Sequence, residues 1–158
     1  GAKTEIDNSE QTFGYLNSHL GFYNSISKNQ RLVLKTDLRS QVRFGNDIVF
    51  YQAANIGGQS GLRGFRLQRF TGQNFLVGNA DLRYSFKSFK TGTLPLQFGV
   101  FGGYDIGRVW LSNESSNTWH QSYGGGFWVS SAESIAGTFN LFNSVDGLRF
   151  SFGFNFSL

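Results

Sequence analysis

The sequence predicts an all-β protein, a transmembrane antiparallel β-barrel of about eight strands. Three observations support this fold: strict apolar–polar alternation in the last eleven residues, recurrence of the same pattern along the chain, and 18 Phe, 6 Tyr and 3 Trp among 158 residues. Successive side chains of a strand point to opposite faces, so each alternating segment has one apolar face. The apolar face of a membrane barrel lies in lipid while its interior stays polar.

The final segment shows the pattern most clearly. Leu148, Phe150, Phe152, Phe154, Phe156 and Leu158 share one parity, and Arg149, Ser151, Gly153, Asn155 and Ser157 share the other. This apolar row is long enough to cross a bilayer at a tilt.

Earlier segments alternate in the same way. They are Gln11–Ile26, Gln30–Gly45, Asn74–Phe89, Leu94–Trp110, Trp119–Ser131 and the shorter Ile135–Phe142. In the first, Phe13 and Tyr15 have the opposite parity to the apolar residues that follow, which predicts a bulge near Gly14. With the final segment these give seven strands, most of them longer than the roughly five or six residues usual in soluble sheets.

The connections alternate in length. Ser27–Asn29, Ser88–Thr93 and Ser131–Ser134 read as tight turns, whereas Asn46–Gln73 and Leu111–Thr118 are longer. Short turns at one end and long loops at the other are typical of outer-membrane barrels. A soluble lipocalin-like barrel or sandwich is the alternative, but here the face opposite the apolar one is charged or rich in glycine.

Composition and spacing argue against several other classes. Mean hydropathy is −0.25, and no apolar run approaches the roughly 18 residues of a membrane helix. The net charge of +4 comes from scattered residues that form no nucleic-acid stripe. There is no Cys, and His19 and His120 are far apart, so we predict no metal site and no cofactor. No Gly-x-Ser-x-Gly motif is present, and we predict no catalytic residues.

The loop 46–73 is long enough to predict a function of its own. Its centre, Gly57–Phe65, carries Arg63 between glycines, and the planar head of an arginine suits a carboxylate partner. Asp81 and Asp105 lie on the polar parity of the two strands that follow, so both would face the interior. The alternative is that these aspartates bind interior arginines such as Arg39, Arg43 or Arg149.

Four motifs in this order resemble the Omp85 superfamily, the BamA, TamA and FhaC relatives. They are Arg63-Gly64-Phe65 in the loop, Gly78-Asn79 followed by Asp81, Asp105-Ile106-Gly107, and the aromatic last strand Gly147–Leu158. The resemblance implies a single barrel domain over residues 1–158 with 46–73 as its luminal or extracellular loop. It also implies that the chain is the C-terminal half of a sixteen-stranded barrel, if it is not a complete barrel of about eight strands.

The resemblance also implies residue roles. Arg63 would bind Asp105, with Asp81 as a second partner, and Gly107 would belong to the strand motif. The final strand would carry the assembly signal through Phe152, Phe154, Phe156 and Leu158, although relatives end in Phe or Trp where this chain ends in Leu.

The function implied is insertion or translocation of proteins at the bacterial outer membrane. Implied partners are outer-membrane lipid, unfolded outer-membrane proteins, and other barrel or complex subunits, with an oligomer as a further option and no nucleic acid. Two alternatives remain open. One is a membrane anchor for a fused or partner domain, because 51–72 and 119–126 are similar to a subgroup fused to a calcineurin-like phosphoesterase. The other is a small passive pore.

Strand parity raises a question at the N-terminus. If Leu158 is periplasmic, as in the superfamily, seven antiparallel strands place Gly1 outside the cell, whereas a freestanding barrel has an even strand number. An eighth strand could come only from Lys3–Ile6. We expect the C-terminal portion of a longer protein, with an eight-stranded barrel and a short barrel completed by oligomerisation as alternatives.

Overall fold

The computed structural model describes residues 2–5, 11–44, 53–58, 61–86, 89–91, 94–111, 117–131 and 135–156. These residues form strands joined by turns and loops, which confirms the predicted all-β antiparallel architecture. In the described part of the chain, no helix is long and apolar enough to cross a membrane.

The strands of the structure are, in chain order, β1 (Ala2–Glu5), β2 (Gln11–Ser25), β3 (Leu32–Phe44), β4 (Ala54–Ile56), β5 (Phe70–Gly72), β6 (Asn74–Ser85), β7 (Phe89–Thr91), β8 (Leu94–Trp110), β9 (His120–Ser131), β10 (Ile135–Ser144) and β11 (Gly147–Phe156). The structure thus contains the seven predicted strands and adds β1, β7 and the pair β4 and β5, which lie within the predicted loop 46–73.

All but two of these strands belong to one antiparallel sheet. Its order is β1-β2-β3-β6-β8-β9-β10-β11, with β7 extending the hairpin to β8, while β4 and β5 form a separate two-stranded sheet. β1 and β11 are the two edges, and no pairing joins them within the described residues, so the barrel is not closed there.

The structure differs from the predictions at several points. The expected bulge near Gly14 is wrong, because Gly14 pairs with Ala2 on one side and Phe44 on the other in regular ladders. Tyr15, opposite Arg43, lies on the polar interior face, where a tyrosine needs no change of register to be accommodated. The eighth strand forms where it was expected, because β1 covers residues 3–5 of the candidate segment and begins one residue earlier; Ile6 lies outside the described residues.

The other corrections concern strand ends. The predicted strand to Phe89 stops at Ser85, and Phe89–Thr91 pairs with 94–96 where a tight turn was expected. β10 runs two residues beyond Phe142 because Asn143 and Ser144 continue the ladder to β11. The turn residues 132–134 lie outside the described residues.

The two faces of the sheet differ in chemistry. The outward face exposes bulky apolar side chains, and an aromatic row crosses it where Phe127 stacks on Phe139 at 5.2 Å between ring centroids and Phe139 pairs with Phe152. The buried apolar cluster lies on the opposite face, between the loop and the sheet. Its members are Ile56, Leu62, Phe65 and Val77, with Phe70, Phe75 and Val109 packed around them. The core therefore fixes the loop against the interior wall.

Candidate functional site

The loop between β3 and β6 turns back and lies on the interior face of the sheet. β4 and β5 pair as its stem, and the segment 61–65 carries Leu62 and Phe65 into the buried cluster. Gly61 has a φ of +131°, and a Cβ there would come within 2.5 Å of Val77 Cγ1. Only glycine permits both this backbone conformation and this close approach.

Arg63 at the turn of this segment binds two carboxylates. Its Nη2 donates to Asp81 Oδ1 and Asp105 Oδ1, both at 2.6 Å. Nη1 donates to Asp81 Oδ2 at 3.2 Å, and Nε lies 3.1 Å from each Asp105 oxygen. The Arg63 and Asp81 side chains are 16% and 13% exposed and that of Asp105 is fully buried, so the ion pairs are largely shielded from water. We call these three residues the clasp.

The buried carboxylate of Asp105 has further donors. In addition to the Arg63 guanidinium, three groups donate hydrogen bonds to it: Asn79 Nδ2 (2.7 Å), Ser122 Oγ (2.9 Å) and the backbone N–H of Arg63 (2.9 Å). A buried charge is costly unless it is paired and hydrogen-bonded, and this set of donors meets that requirement.

Polar contacts also hold the backbone beside Arg63. The Gly64 N–H donates to Ser122 Oγ at 3.2 Å, and Ser144 Oγ donates to the Gly64 carbonyl at 2.7 Å. The loop thus contacts β9 and β10 in addition to the strands of the two aspartates. A Cβ on Gly64 would lie 2.6 Å from the Cβ of Ser122, so this position has room only for glycine.

Aromatic rings and a second glycine complete the clasp. The Arg63 guanidinium lies over the Phe142 ring at 4.1 Å from its centroid, a cation–π contact. Gly103 lies beneath the ion pairs, and a Cβ there would come within 2.7 Å of Arg63 Nη2 and 3.0 Å of the Phe142 ring. The clasp therefore rests directly on the backbone of β8.

At its other end the loop carries a second ion pair. Arg69 Nε donates to Asp146 Oδ2 at 2.8 Å, in the turn between β10 and β11. This hydrogen bond holds the pKa of Asp146 below its ordinary value of 3.8. Next to this pair, the Phe70 ring stacks on His120 with centroids 3.5 Å apart.

A neighbouring network of charges lies on the interior face. Asp37 binds His19 Nε2 at 2.6 Å and Arg39 Nε at 3.0 Å, and Arg39 Nη2 donates to Asn79 at 3.1 Å. One polar cavity of about 270 Å³ is lined by this network together with Arg63 and Asp81 of the clasp. In the described residues no group of three His, Cys, Asp or Glu side chains could hold a metal ion.

The structure places the sequence-predicted residues as follows. Arg63, Asp81 and Asp105 come together, whereas Arg39 binds Asp37 instead of the clasp aspartates. Gly107 is buried against Val77 of the core cluster. Phe152 and Phe154 lie outward on β11, 57% and 61% exposed, while Leu158 and the side chain of Phe156 lie outside the described residues.

Sequence reasoning named Asn79 only as part of a motif and missed Ser122 and Ser144 as residues that support the clasp. Asn79, Ser122 and Ser144 all hydrogen-bond to Asp105 or to the loop backbone. Asn79 and Ser122 could have been found, since both lie on the polar parity of their strands. Ser144 could not, because it follows the predicted end of its strand.

These features define a class of protein. An antiparallel sheet of long strands with one exposed apolar face and one polar face, against which a long loop folds, is typical of the wall of a transmembrane β-barrel.

The particular family follows from the sequence. Residues 1–129 match the family model of haemolysin secretion/activation proteins, ShlB/FhaC/HecB, and the chain belongs to this family. The match supports the resemblance to the Omp85 superfamily, since FhaC is one of the relatives that the motifs resemble. A search of curated proteins gives no match to the chain.

Proposed function

We propose that this chain forms part of an outer-membrane barrel that translocates a protein, as the secretion role of its family suggests. The observation that carries the proposal is the clasp, which holds a long loop against the polar interior wall. A polypeptide crossing the membrane needs a polar path, and a loop lying in that path is suited to control it. The loop-bearing end would face the cell exterior, because long loops are extracellular in such barrels.

The interior wall fits an unfolded protein as substrate. Beside the clasp, Lys35, Arg83, Thr138 and Asn140 line a polar cavity of about 440 Å³. An extended chain presents backbone N–H and C=O groups all along its length, and polar side chains can bind these groups without regard to sequence. The wall would therefore offer many weak contacts and no single tight site.

Deletion and complementation of the full-length gene would test the function. Translocation predicts that at least one protein disappears from the culture medium on deletion and returns on complementation. Insertion, the related activity, predicts loss from the outer-membrane fraction instead. No change in either fraction would refute both translocation and insertion, and would favour a membrane anchor for a partner or fused domain. A phosphoesterase encoded upstream remains our prediction for such a fused domain.

Two clasp-directed measurements sharpen the test. Complementation with Arg63→Gln should fail to restore export, whereas Arg66→Gln, an exposed arginine in the same loop, should restore it. In planar bilayers, the full-length Arg63→Gln protein should conduct more often or at higher current than wild type, because the loop leaves the path. A passive pore would conduct in bilayers, but its deletion would not alter the exported proteins.

A further inference from the structure

The outward face of the sheet carries one charged residue in the part of the chain that the structure describes. Outward positions of β2, β3, β6 and β8–β11 are apolar, small or uncharged, except Arg108. Arg108 pairs with Leu76 and lies two residues beyond Ile106 on the same face. A charge on the lipid-facing side is costly near the bilayer midplane and is tolerated only near the membrane interface.

Two tryptophan rings lie beside Arg108 near the end of β8. Its guanidinium carbon is 4.9 Å from the ring centroid of Trp110 and 5.9 Å from that of Trp119, and the two indoles meet edge to face. Its Nη2 donates to Asn117 Oδ1 at 2.6 Å. Tryptophans concentrate at membrane–water interfaces, so this cluster lies at headgroup depth.

An apolar groove begins directly below the cluster. Small residues Thr36, Gly78 and Ala80 line it, and Phe22, Tyr104 and Ile106 rise around them. Its volume is about 330 Å³. From Ile106 to Arg108 the strand rises by about 7 Å, a distance that separates a headgroup from the start of its acyl chain.

We propose that Arg108 and this groove bind one lipid A molecule of the outer leaflet, with a phosphate on the guanidinium and an acyl chain in the groove. The planar guanidinium matches phosphate oxygens in a bidentate manner, and the groove offers the chain an apolar surface. Lipid A combines phosphate and acyl chains, and it belongs to the leaflet that the loop-bearing end would face. The inference depends on the membrane orientation proposed above but not on translocation.

Native mass spectrometry of the full-length protein in detergent, titrated with lipid A, tests this site. Arg108→Gln should weaken lipid A binding about tenfold or more, since charge-assisted hydrogen bonds to phosphate are lost. Arg149→Gln is the matched control: it removes the same charge near the same end of the sheet, on the interior face. Its affinity for lipid A should stay within about twofold of wild type.

A second variant tests whether the groove binds the acyl chain. A Cβ at Gly78 would meet only ordinary contacts, 3.6 Å from Ile106 and 3.8 Å from Leu38, so Gly78→Leu should fold and fill the groove. We expect lipid A affinity to fall about tenfold while Arg108 is intact. Gly102→Leu, outward on β8 but outside the groove, should leave affinity unchanged. If Arg108→Gln does not fold, this pair of variants decides the question.

Three results would overturn the proposal. They are equal lipid A binding by the Arg108→Gln and Arg149→Gln proteins, equal binding of lipid A and its dephosphorylated form, and lipid-free dimers that Gly78→Leu dissociates. The last would mean that a second copy of the chain occupies the groove. If deletion of the gene alters no exported protein while lipid A binding behaves as expected, translocation fails and the lipid site stands.

Discussion

Arg63→Gln is the most informative perturbation, because one side chain serves two carboxylates. Its loss leaves Asp105, fully buried, and Asp81, 13% exposed, without their shared cation. Breaking a buried ion pair by removing one partner costs about 3–5 kcal/mol. Asn79 and Ser122 continue to donate to Asp105 in the variant. We therefore expect the substitution to destabilise the clasped loop by about 3 kcal/mol, the low end of this range. The population with a released loop should then rise about a hundredfold.

Chymotrypsin cleavage of the full-length protein in intact cells measures the fraction of molecules with a released loop. The sites after Leu62 and Phe65 are buried in the clasped loop, at 0% and 1% exposure, and become accessible only when it opens. When the loop opens and closes faster than it is cut, the cleavage rate follows the open fraction. New N-termini at positions 63 and 66, identified by mass spectrometry, should appear about a hundredfold faster in the variant, in which position 63 is Gln.

The same cleavage assay compares how much each of the two aspartates contributes to holding the loop. Asp81→Asn should cost only about 1 kcal/mol, a rise of about fivefold, because Arg63 keeps Asp105 and the site is partly solvated. Asp105→Arg should release the loop at least as fully as Arg63→Gln. Arg66→Gln, the control in the same loop, should cleave like wild type. Equal cleavage of the Arg63→Gln and Arg66→Gln proteins would refute the view that the clasp holds the loop.

Three further predictions follow from neighbouring contacts. Gly103→Ala should destabilise the loop by about 1–3 kcal/mol through overpacking against Arg63, whereas Gly102→Ala, with no atom nearer than 3.9 Å, should stay within about 0.5 kcal/mol in the same cleavage assay. Ser122→Ala should cost about 1–2 kcal/mol, because Asp105 loses a donor and the Gly64 N–H an acceptor; unchanged cleavage would contradict this. Because the pKa of Asp146 is lowered in the folded state, its pair with Arg69 stabilises the protein above pH 3.8 and ceases to do so as pH falls through that lowered pKa. Thermal unfolding followed by circular dichroism should therefore separate wild type from Asp146→Asn at pH 6, and the difference should shrink as the pH is lowered further below 3.8.

Period-two alternation was enough to predict the fold class and the facing of most side chains. Asp81 and Asp105 were placed on the interior because strand parity depends only on sequence. Their meeting at one arginine depends on the register between β6 and β8, in which Asn79 pairs with Asp105 and Asp81 with Gly103. Register comes from the pairing of whole strands, and no single segment contains it.

The mistakes have physical causes of the same kind. The parity of Tyr15 predicts a bulge only if aromatic residues face lipid, yet a tyrosine also suits a polar interior wall. Ser144 lies beyond Leu141, the last apolar residue in the outward row of β10, so the alternation does not indicate that the strand reaches Ser144 and its contact with Gly64. Alternation detects strands through their lipid-facing residues, so the ends that leave the membrane are the least predictable.

The contacts of the loop lead to one mechanical consequence. Arg63 binds β6 and β8, Gly64 binds β9 and β10, and Arg69 binds the turn before β11. The loop is thus bonded across the interior wall to consecutive strands on the C-terminal side of its own position in the chain. The bonds to β6, β8 and β9 converge on Asp105, Ser122 and Arg63, so loss of one of them leaves a buried partner unsatisfied and weakens the others. The loop should therefore release as a unit, which makes it suited to act as a switch with two positions.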